Sequence, residues 1–127
     1  QRAILADEMG LGKTRQAIVA ALKLSKGAVV FCPASLKTNW AREILLVDPD
    51  ANVAIADAAA TYHYNTGDGY SSNWYIANYD IIDRERIEAE VLAHMPTALI
   101  MDEAHYIKNA KAQSLAKQWK KTLAARA

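Results

Sequence analysis

The segment DEMGLGKT, Asp7–Thr14, lies between a short apolar run and a stretch with helical periodicity. Strand, glycine-bearing turn, Lys-Thr pair and helix, in this order, are typical of a loop that cradles nucleotide phosphates. Gly10 and Gly12 allow a tight turn whose backbone N–H groups point at anionic oxygens. Lys13 would neutralise the β- and γ-phosphates, and the Thr14 hydroxyl would ligate Mg²⁺. The segment therefore predicts a strand–loop–helix unit that binds a nucleoside triphosphate.

The loop departs from the usual pattern G-x-x-x-x-G-K-[ST], because Asp7 occupies the first glycine position. The alternative is a strand–turn–helix corner in which Lys13 and Thr14 are ordinary surface residues. A second motif argues against it: Asp102 and Glu103 directly follow four apolar residues. An Asp at a strand end can hold Mg²⁺ together with Thr14, and the adjacent Glu can orient or deprotonate a water. The two motifs together predict a Mg-nucleotide site.

Strand-like and helix-like segments alternate along the chain. Strands are predicted at Ala3–Ala6, Ala28–Cys32, Val53–Ala56, Trp74–Ala77 and Ala98–Met101, and helices at Thr14–Ser25, Leu36–Val47, Asp80–Leu92 and Ala110–Ala124. Such alternation predicts an α/β fold with a mostly parallel sheet and helices on both faces. Locally, Gly27 is expected to end the first helix and Ser35 to cap the second, while Asp57–Asn73 is interpreted as a flexible surface insertion.

Composition sets limits but does not identify a function. The chain has 127 residues, 52% of them apolar, and a net charge of +1, which is one soluble domain's worth of sequence or part of a larger domain. No apolar run is long enough to cross a membrane, and Cys32 is the only cysteine, so we expect an intracellular protein without a membrane partner. Trp40 and Trp119 are predicted core residues, and His63 and His94 surface or capping residues.

Four segments of the chain resemble motifs of the Swi/Snf-type ATPases, which belong to superfamily 2 of the helicase-like proteins. The matching residues are Asp7–Thr14 with Gln16 for motif I, Cys32–Leu36 with Asn39 and Trp40 for motif Ia, Ala77–Asp80 for motif Ib, and Asp102–His105 with Lys108 and Asn109 for the DEAH-type motif II. Asp7 stands where this family departs from the generic phosphate loop. The Pro-Ala-Ser-Leu and Asn-Trp residues of motif Ia suggest the annealing-helicase-like branch or a bacterial or phage relative.

The resemblance implies a P-loop RecA-like three-layer sandwich over residues 1–127, a partial N-terminal helicase ATP-binding domain truncated before the strand of motif III. The nucleotide-binding residues would be Asp7, Glu8, Met9, Gly10, Leu11, Gly12, Lys13 and Thr14. Lys13, Asp102 and Glu103 would be catalytic, Thr14 and Asp102 would bind Mg²⁺, and His105 would couple the site to later motifs. Contacts with the DNA backbone are expected at Pro33, Ser35, Lys37, Asn78 and Tyr79.

The implied function is that of a DNA-dependent ATPase that moves along duplex DNA, with ATP and Mg²⁺ as cofactors. Hydrolysis would require a second RecA-like lobe, whose arginine completes the ATP site. The protein would work in the cytoplasm or nucleoid of a bacterium or phage-infected cell, or in a eukaryotic nucleus. Two alternatives remain: a P-loop ATPase that does not act on nucleic acid, and a non-catalytic ATP-binding interaction module.

Overall fold

This computed structural model describes residues 13–64, 71–94, 98–102 and 118 of the chain. The helices are α1 (Lys13–Ser25), α2 (Lys37–Val47) and α3 (Glu85–His94), and the strands are β1 (Gly27–Cys32), β2 (Asn52–Ala56), β3 (Thr61–Tyr64), β4 (Asn73–Asn78) and β5 (Leu99–Met101). Short 3-10 turns occupy Ala34–Leu36 and Tyr79–Ile81. Outside the described residues lie the predicted strand Ala3–Ala6, Asp7–Gly12, Glu103, His105, and most of the predicted helix Ala110–Ala124, including Trp119.

The strands described here form one sheet in the order β3-β2-β4-β1-β5. The strands β2, β4, β1 and β5 are parallel to one another, and β3 pairs with β2 in the antiparallel sense. Each of the four parallel strands was predicted from a short apolar run. Such runs form strands that are buried on both faces of a parallel sheet, and all six residues of β1 are buried. The predicted α/β class with a mostly parallel sheet is confirmed.

The helices cover both faces of the sheet, which makes three layers. Side chains alternate along a strand, so Val30 of β1 lies in the apolar cluster that α1 and α2 share with the sheet. Val29 and Phe31 lie in the second cluster, on the face that α3 covers. The first face also buries Trp40 and Trp74 completely. Among the described residues, no helix has the length and apolar character needed to cross a bilayer.

The connection from α1 to β1 is unusually tight. The helix ends at Ser25, Lys26 takes the left-handed conformation at φ 58°, and Gly27 begins β1 at φ 133°. Gly27 was expected to end the helix, but the helix already ends at Ser25, and Lys26 adopts the left-handed conformation. Gly27 has a different role: a Cβ at this position would lie 2.0 Å from the carbonyl oxygen of Asn73 in the neighbouring strand, so only glycine fits.

Two predicted helix caps were wrong, and one of the two helices begins later than predicted. Ser35 does not cap α2: it lies inside the turn Ala34–Leu36, and the helix begins at Lys37 without a side-chain cap. The extended Pro33 accepts a hydrogen bond from the Leu36 N–H at 2.9 Å, so one 3-10 turn precedes the helix. Likewise, Asp80 lies in the turn after β4, and α3 begins only at Glu85.

The interpretation of Asp57–Asn73 as a flexible insertion was wrong for its first part, which contains the edge strand β3. The Asp57 carboxylate accepts hydrogen bonds from the N–H groups of Ala59 and Ala60, both at 2.8 Å. This Asx-type turn reverses the chain and pairs β3 with β2. The aromatic residues Tyr62 and Tyr64 are half exposed on this edge strand.

His94, in the last turn of α3, is half-buried, and its Nε2 lies 3.2 Å from the carbonyl oxygen of Asn73. Burial lowers the pKa of His94, and the hydrogen bond to Asn73 opposes this shift only in part. The unfolded chain therefore binds a proton at a pH where the folded chain does not. Stability is complete above the ordinary histidine pKa of about 6.5 and falls as the pH drops below it.

We therefore expect the free energy of unfolding of the wild-type protein to decrease between pH 7.5 and pH 5.5, and that of His94→Gln to decrease less. The measurement is urea unfolding at several pH values. The control is His63→Gln, which changes an exposed histidine on β3 and should follow the wild type. If His94→Gln followed the wild-type pH dependence, the buried imidazole would not be its source.

Candidate nucleotide and nucleic-acid site

The predicted functional residues that the structure describes lie at one edge of the sheet, formed by the carboxyl ends of the parallel strands. The parallel strands β1, β2, β4 and β5 all end at this edge, where ligands of open α/β folds bind. A single residue, Lys26, joins α1 to β1, so the helix runs back across the sheet and begins at the same edge. Lys13 and Thr14, at the head of α1, and Asp102, directly after β5, are therefore brought to one edge although they are distant in sequence.

Within the described part of the chain, hydrogen bonds link Asp102 to three different parts of the fold. Its N–H donates to the Phe31 carbonyl oxygen of β1 at 2.8 Å, and its own carbonyl oxygen accepts the Tyr79 hydroxyl at 2.9 Å. The carboxylate Oδ2 accepts the indole N–H of Trp40 at 2.7 Å. Only 2% of Asp102 is exposed. The bond from Trp40 therefore fixes the position of one carboxylate oxygen in the interior of the protein.

A second polar group lies at the ends of β2 and β4. The Lys37 ammonium donates to the carbonyl oxygen of Ala56 at 2.9 Å and to Asn78 Oδ1 at 3.0 Å. The Asn78 amide also donates to Asp80 Oδ2 at 3.4 Å. These bonds tie the first turn of α2 to both strand ends. An ammonium group has three donors, so Lys37 retains the capacity to bind one further acceptor, such as an anionic oxygen.

The predicted site residues differ in accessibility. Lys13 and Ser35 are exposed, Pro33 and Lys37 are partly exposed, and Thr14, Asn78, Tyr79 and Asp102 are buried. Asn78 and Tyr79 are only 6% and 7% exposed, so little of either residue lies on the surface. Asp7–Gly12, Glu103 and His105 lie outside the described residues. The functional roles of all these residues stay predictions.

The donor set fits Mg²⁺. Thr14 offers a hydroxyl oxygen and Asp102 a carboxylate oxygen, and oxygen ligands are the ones that Mg²⁺ prefers. Within the described ranges, no three His, Cys, Asp or Glu side chains cluster closely enough to hold a metal ion by themselves. Mg²⁺ in nucleotide enzymes is bound in this sparse way, by one or two protein groups together with phosphate oxygens and water.

Sequence reasoning placed Trp40 in the core, and its complete burial confirms that. The hydrogen bond from its indole to Asp102 was missed, although a signal existed: a buried tryptophan needs an acceptor for its N–H. The hydrogen bond from Tyr79 to Asp102 was missed for a different reason: the family resemblance implies only a DNA contact for Tyr79. Cys32, the last residue of β1, is buried as well.

The sequence of this chain is similar to those of several known proteins. The family model described as the SNF2-related domain matches residues 1–126. The chain is 38% identical over 116 residues to "ISWI chromatin-remodeling complex ATPase ISW1" of Saccharomyces cerevisiae, which covers 84% of this chain and 10% of the relative. It is 34% identical over 126 residues to "Protein CHROMATIN REMODELING 19" of Arabidopsis thaliana, covering 84% and 16%.

A third relative is "ATP-dependent helicase fft2" of Schizosaccharomyces pombe, with 31% identity over 117 residues that cover 84% of this chain and 9% of the relative. The chain thus spans between 9% and 16% of the length of these three relatives. Among solved structures, "Sulfolobus solfataricus SWI2/SNF2 ATPase core in complex with dsDNA" matches with a TM-score of 0.47 and 19% identity, covering 85% of this chain and 28% of that one.

Proposed function

Since this chain belongs to the family of SNF2-related domains, we propose that it is the ATP-binding lobe of a DNA-dependent ATPase that moves along duplex DNA. In this proposal, residues 1–127 form part of an N-terminal RecA-like domain. The observation that supports it is topological: Lys13 and Thr14, at the start of α1, and Asp102, after β5, lie at the same edge of the sheet. A cation, a hydroxyl and a carboxylate at this edge are the groups that a Mg-nucleotide hydrolase uses.

In the proposed mechanism, Lys13 neutralises charge on the β- and γ-phosphates. The amino end of α1 adds the positive end of the helix dipole, and the N–H groups of Asp7–Gly12 bind further phosphate oxygens. Glu103 orients the attacking water or takes its proton. His105 passes the state of the nucleotide site to later motifs of the protein. Lys13, the helix dipole and the backbone N–H groups would stabilise the negative charge that develops during phosphoryl transfer.

Thr14 and Asp102 would hold Mg²⁺ at this site. When bound, the ion neutralises charge on the β- and γ-phosphate oxygens. Thr14 is 9% exposed and Asp102 is 2% exposed, so the protein largely keeps bulk water from both groups. Charges interact more strongly where water is excluded, so this burial favours tight binding of a charged ligand.

For DNA, the proposed contacts run along the strand ends next to the nucleotide site. Pro33, Ser35 and Lys37 present backbone, hydroxyl and ammonium groups on the turn before α2 and at its start. Two hydrogen bonds, to the Ala56 carbonyl oxygen and to Asn78 Oδ1, hold the Lys37 ammonium in place. Its third donor would bind a phosphate oxygen of the DNA. Tyr79 would act through Asp102 rather than by touching DNA. Contacts of this kind are made to phosphates, so we expect modest sequence preference and strong salt dependence.

Turnover is proposed to need a second RecA-like lobe, which supplies an arginine to the transferred phosphate. Such an arginine is worth about 10³–10⁵ in rate. We therefore expect residues 1–127, produced alone, to bind ATP and hydrolyse it very slowly. Robust DNA-stimulated hydrolysis by residues 1–127 alone would contradict this requirement. We expect the protein to work inside the cell, in the nucleus of a eukaryote or in the cytoplasm or nucleoid of a bacterium or phage-infected cell.

The decisive experiment measures the ATPase rate of the complete protein without DNA and with single-stranded, duplex and forked DNA. The expected result is low basal turnover that duplex DNA raises. Turnover that is indifferent to all DNA would favour a P-loop ATPase that does not act on nucleic acid. A protein that shows no turnover, and whose ATP affinity is unchanged in Glu103→Gln, would instead be a non-catalytic ATP-binding module.

A further inference from the structure

The hydrogen bond between Trp40 and Asp102 joins two buried side chains that are 62 positions apart in sequence. The donor–acceptor distance is 2.7 Å, at the short end of the range for N–H donors. Trp40 is fully buried in the apolar cluster beneath α1 and α2, so its ring has little freedom to turn. The indole therefore presents its N–H from a rigid position.

The carboxylate of an aspartate keeps a single orientation only if a fixed hydrogen-bond donor holds one of its oxygens. The last torsion of its side chain has a broad, nearly two-fold preference, so packing alone does not select which oxygen faces the ligand. The hydrogen bonds that Asp102 makes to described residues hold different parts of it. Phe31 and Tyr79 hold the main chain, and Trp40 holds the carboxylate.

We propose that Trp40 is a positioning residue for the metal site: its indole N–H holds the Asp102 carboxylate in the orientation that binds Mg²⁺. This inference rests on the proposed nucleotide function and deepens it. Groups that orient a metal ligand without touching the metal typically contribute about 10–100-fold to metal affinity or activity. Trp40 would act through Asp102, and it has no direct part in phosphate binding.

The molecule offers a matched control in Trp74. This second tryptophan is also fully buried, lies in the same apolar cluster, and donates its Nε1–H to a side-chain oxygen, Ser72 Oγ, at 2.8 Å. Its acceptor is not a predicted metal ligand. Trp40→Phe and Trp74→Phe therefore remove the same atoms from similarly packed surroundings, and only the first removes a bond to Asp102.

The test titrates Mg²⁺ against the complete protein at fixed concentration of a fluorescent ATP analogue, and repeats the binding measurement in EDTA. Trp40→Phe is expected to raise the Mg²⁺ concentration needed for half-maximal binding by about 10-fold or more, while leaving affinity in EDTA at the wild-type value. Trp74→Phe is expected to leave the Mg²⁺ midpoint unchanged. A purely structural loss would lower affinity in EDTA as well and would affect both variants.

A second substitution separates the hydrogen bond from the shape of the ring. Replacing Trp40 by 3-benzothienylalanine keeps the bicyclic ring and removes the N–H, so it should shift the Mg²⁺ midpoint even where phenylalanine destabilises the fold. An unchanged midpoint with this replacement, or equal shifts in Trp40→Phe and Trp74→Phe, would overturn this inference alone. A wild-type protein that binds no nucleotide with or without Mg²⁺ would overturn the proposed function together with it.

Discussion

Replacing Lys13 by alanine is expected to lower the DNA-stimulated kcat/KM of the complete protein for ATP by about 10²-fold or more, the usual loss when one preorganised group facing developing charge is removed. Lys13 is the first residue of α1 and is exposed at the edge of the sheet where the parallel strands end. Its side chain would face the β- and γ-phosphates, where the helix amide dipoles alone cannot supply a full positive charge.

The measurement is steady-state ATP hydrolysis together with binding of an ATP analogue. Lys23→Ala is the matched control, because Lys23 is exposed on the same helix but lies in its last turn, away from this edge. The control should keep the wild-type rate, which separates loss of a phosphate ligand from a general loss of positive charge. Wild-type turnover by Lys13→Ala would mean that the head of α1 is an ordinary helix start and that ATP is bound elsewhere.

Replacing Gly27 by alanine should lower the free energy of unfolding by about 3 kcal/mol or more, which combines the usual costs of overpacking and of a left-handed backbone. The added Cβ would lie 2.0 Å from the Asn73 carbonyl oxygen and 2.8 Å from the carbonyl carbon. Both atoms belong to the backbone of β4 and cannot move like the end of a flexible side chain. The strands β1 and β4 would have to separate at the position where they begin to pair.

Urea unfolding of Gly27→Ala checks this, and Lys26→Gly is its natural counterpart at the adjacent position. Lys26 adopts φ 58°, which is costly for a residue with a Cβ, so glycine there should stabilise the protein by up to about 1 kcal/mol. The two substitutions are thus expected to have opposite signs. If Gly27→Ala were as stable as the wild type, the close approach of β1 to β4 would not exist in solution.

The parallel strands and the first two helices could be predicted because their signals are local. Continuous apolar runs such as Ala28–Cys32 and helical spacing in the segments of α1 and α2 are visible in any short window of sequence. Positions at element ends were less predictable, as Ser35 and Asp80 show. Each is a good capping residue that lies in a 3-10 turn instead, because the chain leaving β1 or β4 first makes a tight turn.

The edge strand β3 was missed because no apolar run marks it. Its residues Thr61–Tyr64 are aromatic and polar, and three of the four are exposed. The strand is paired by the turn at Asp57 and is tied to α3 through Thr61, whose hydroxyl donates to Glu90 at 2.6 Å. Contacts of this type, made between residues far apart in sequence, have no periodic signature.

Residue type and spacing alone establish the α/β class, and they predict a phosphate loop at Asp7–Thr14 and an Asp-Glu pair after a strand. The strand order, the glycine requirement at Gly27 and the hydrogen-bond partners of Asp102 become visible only once distant segments pack together. The sequence predicts Trp40 to be a core residue, and it is fully buried. Its indole N–H also donates a hydrogen bond to Asp102, the predicted metal ligand. A buried indole needs an acceptor for its N–H, but the identity of that acceptor depends on how α2 lies on the sheet. Local residue spacing does not encode how such distant segments pack.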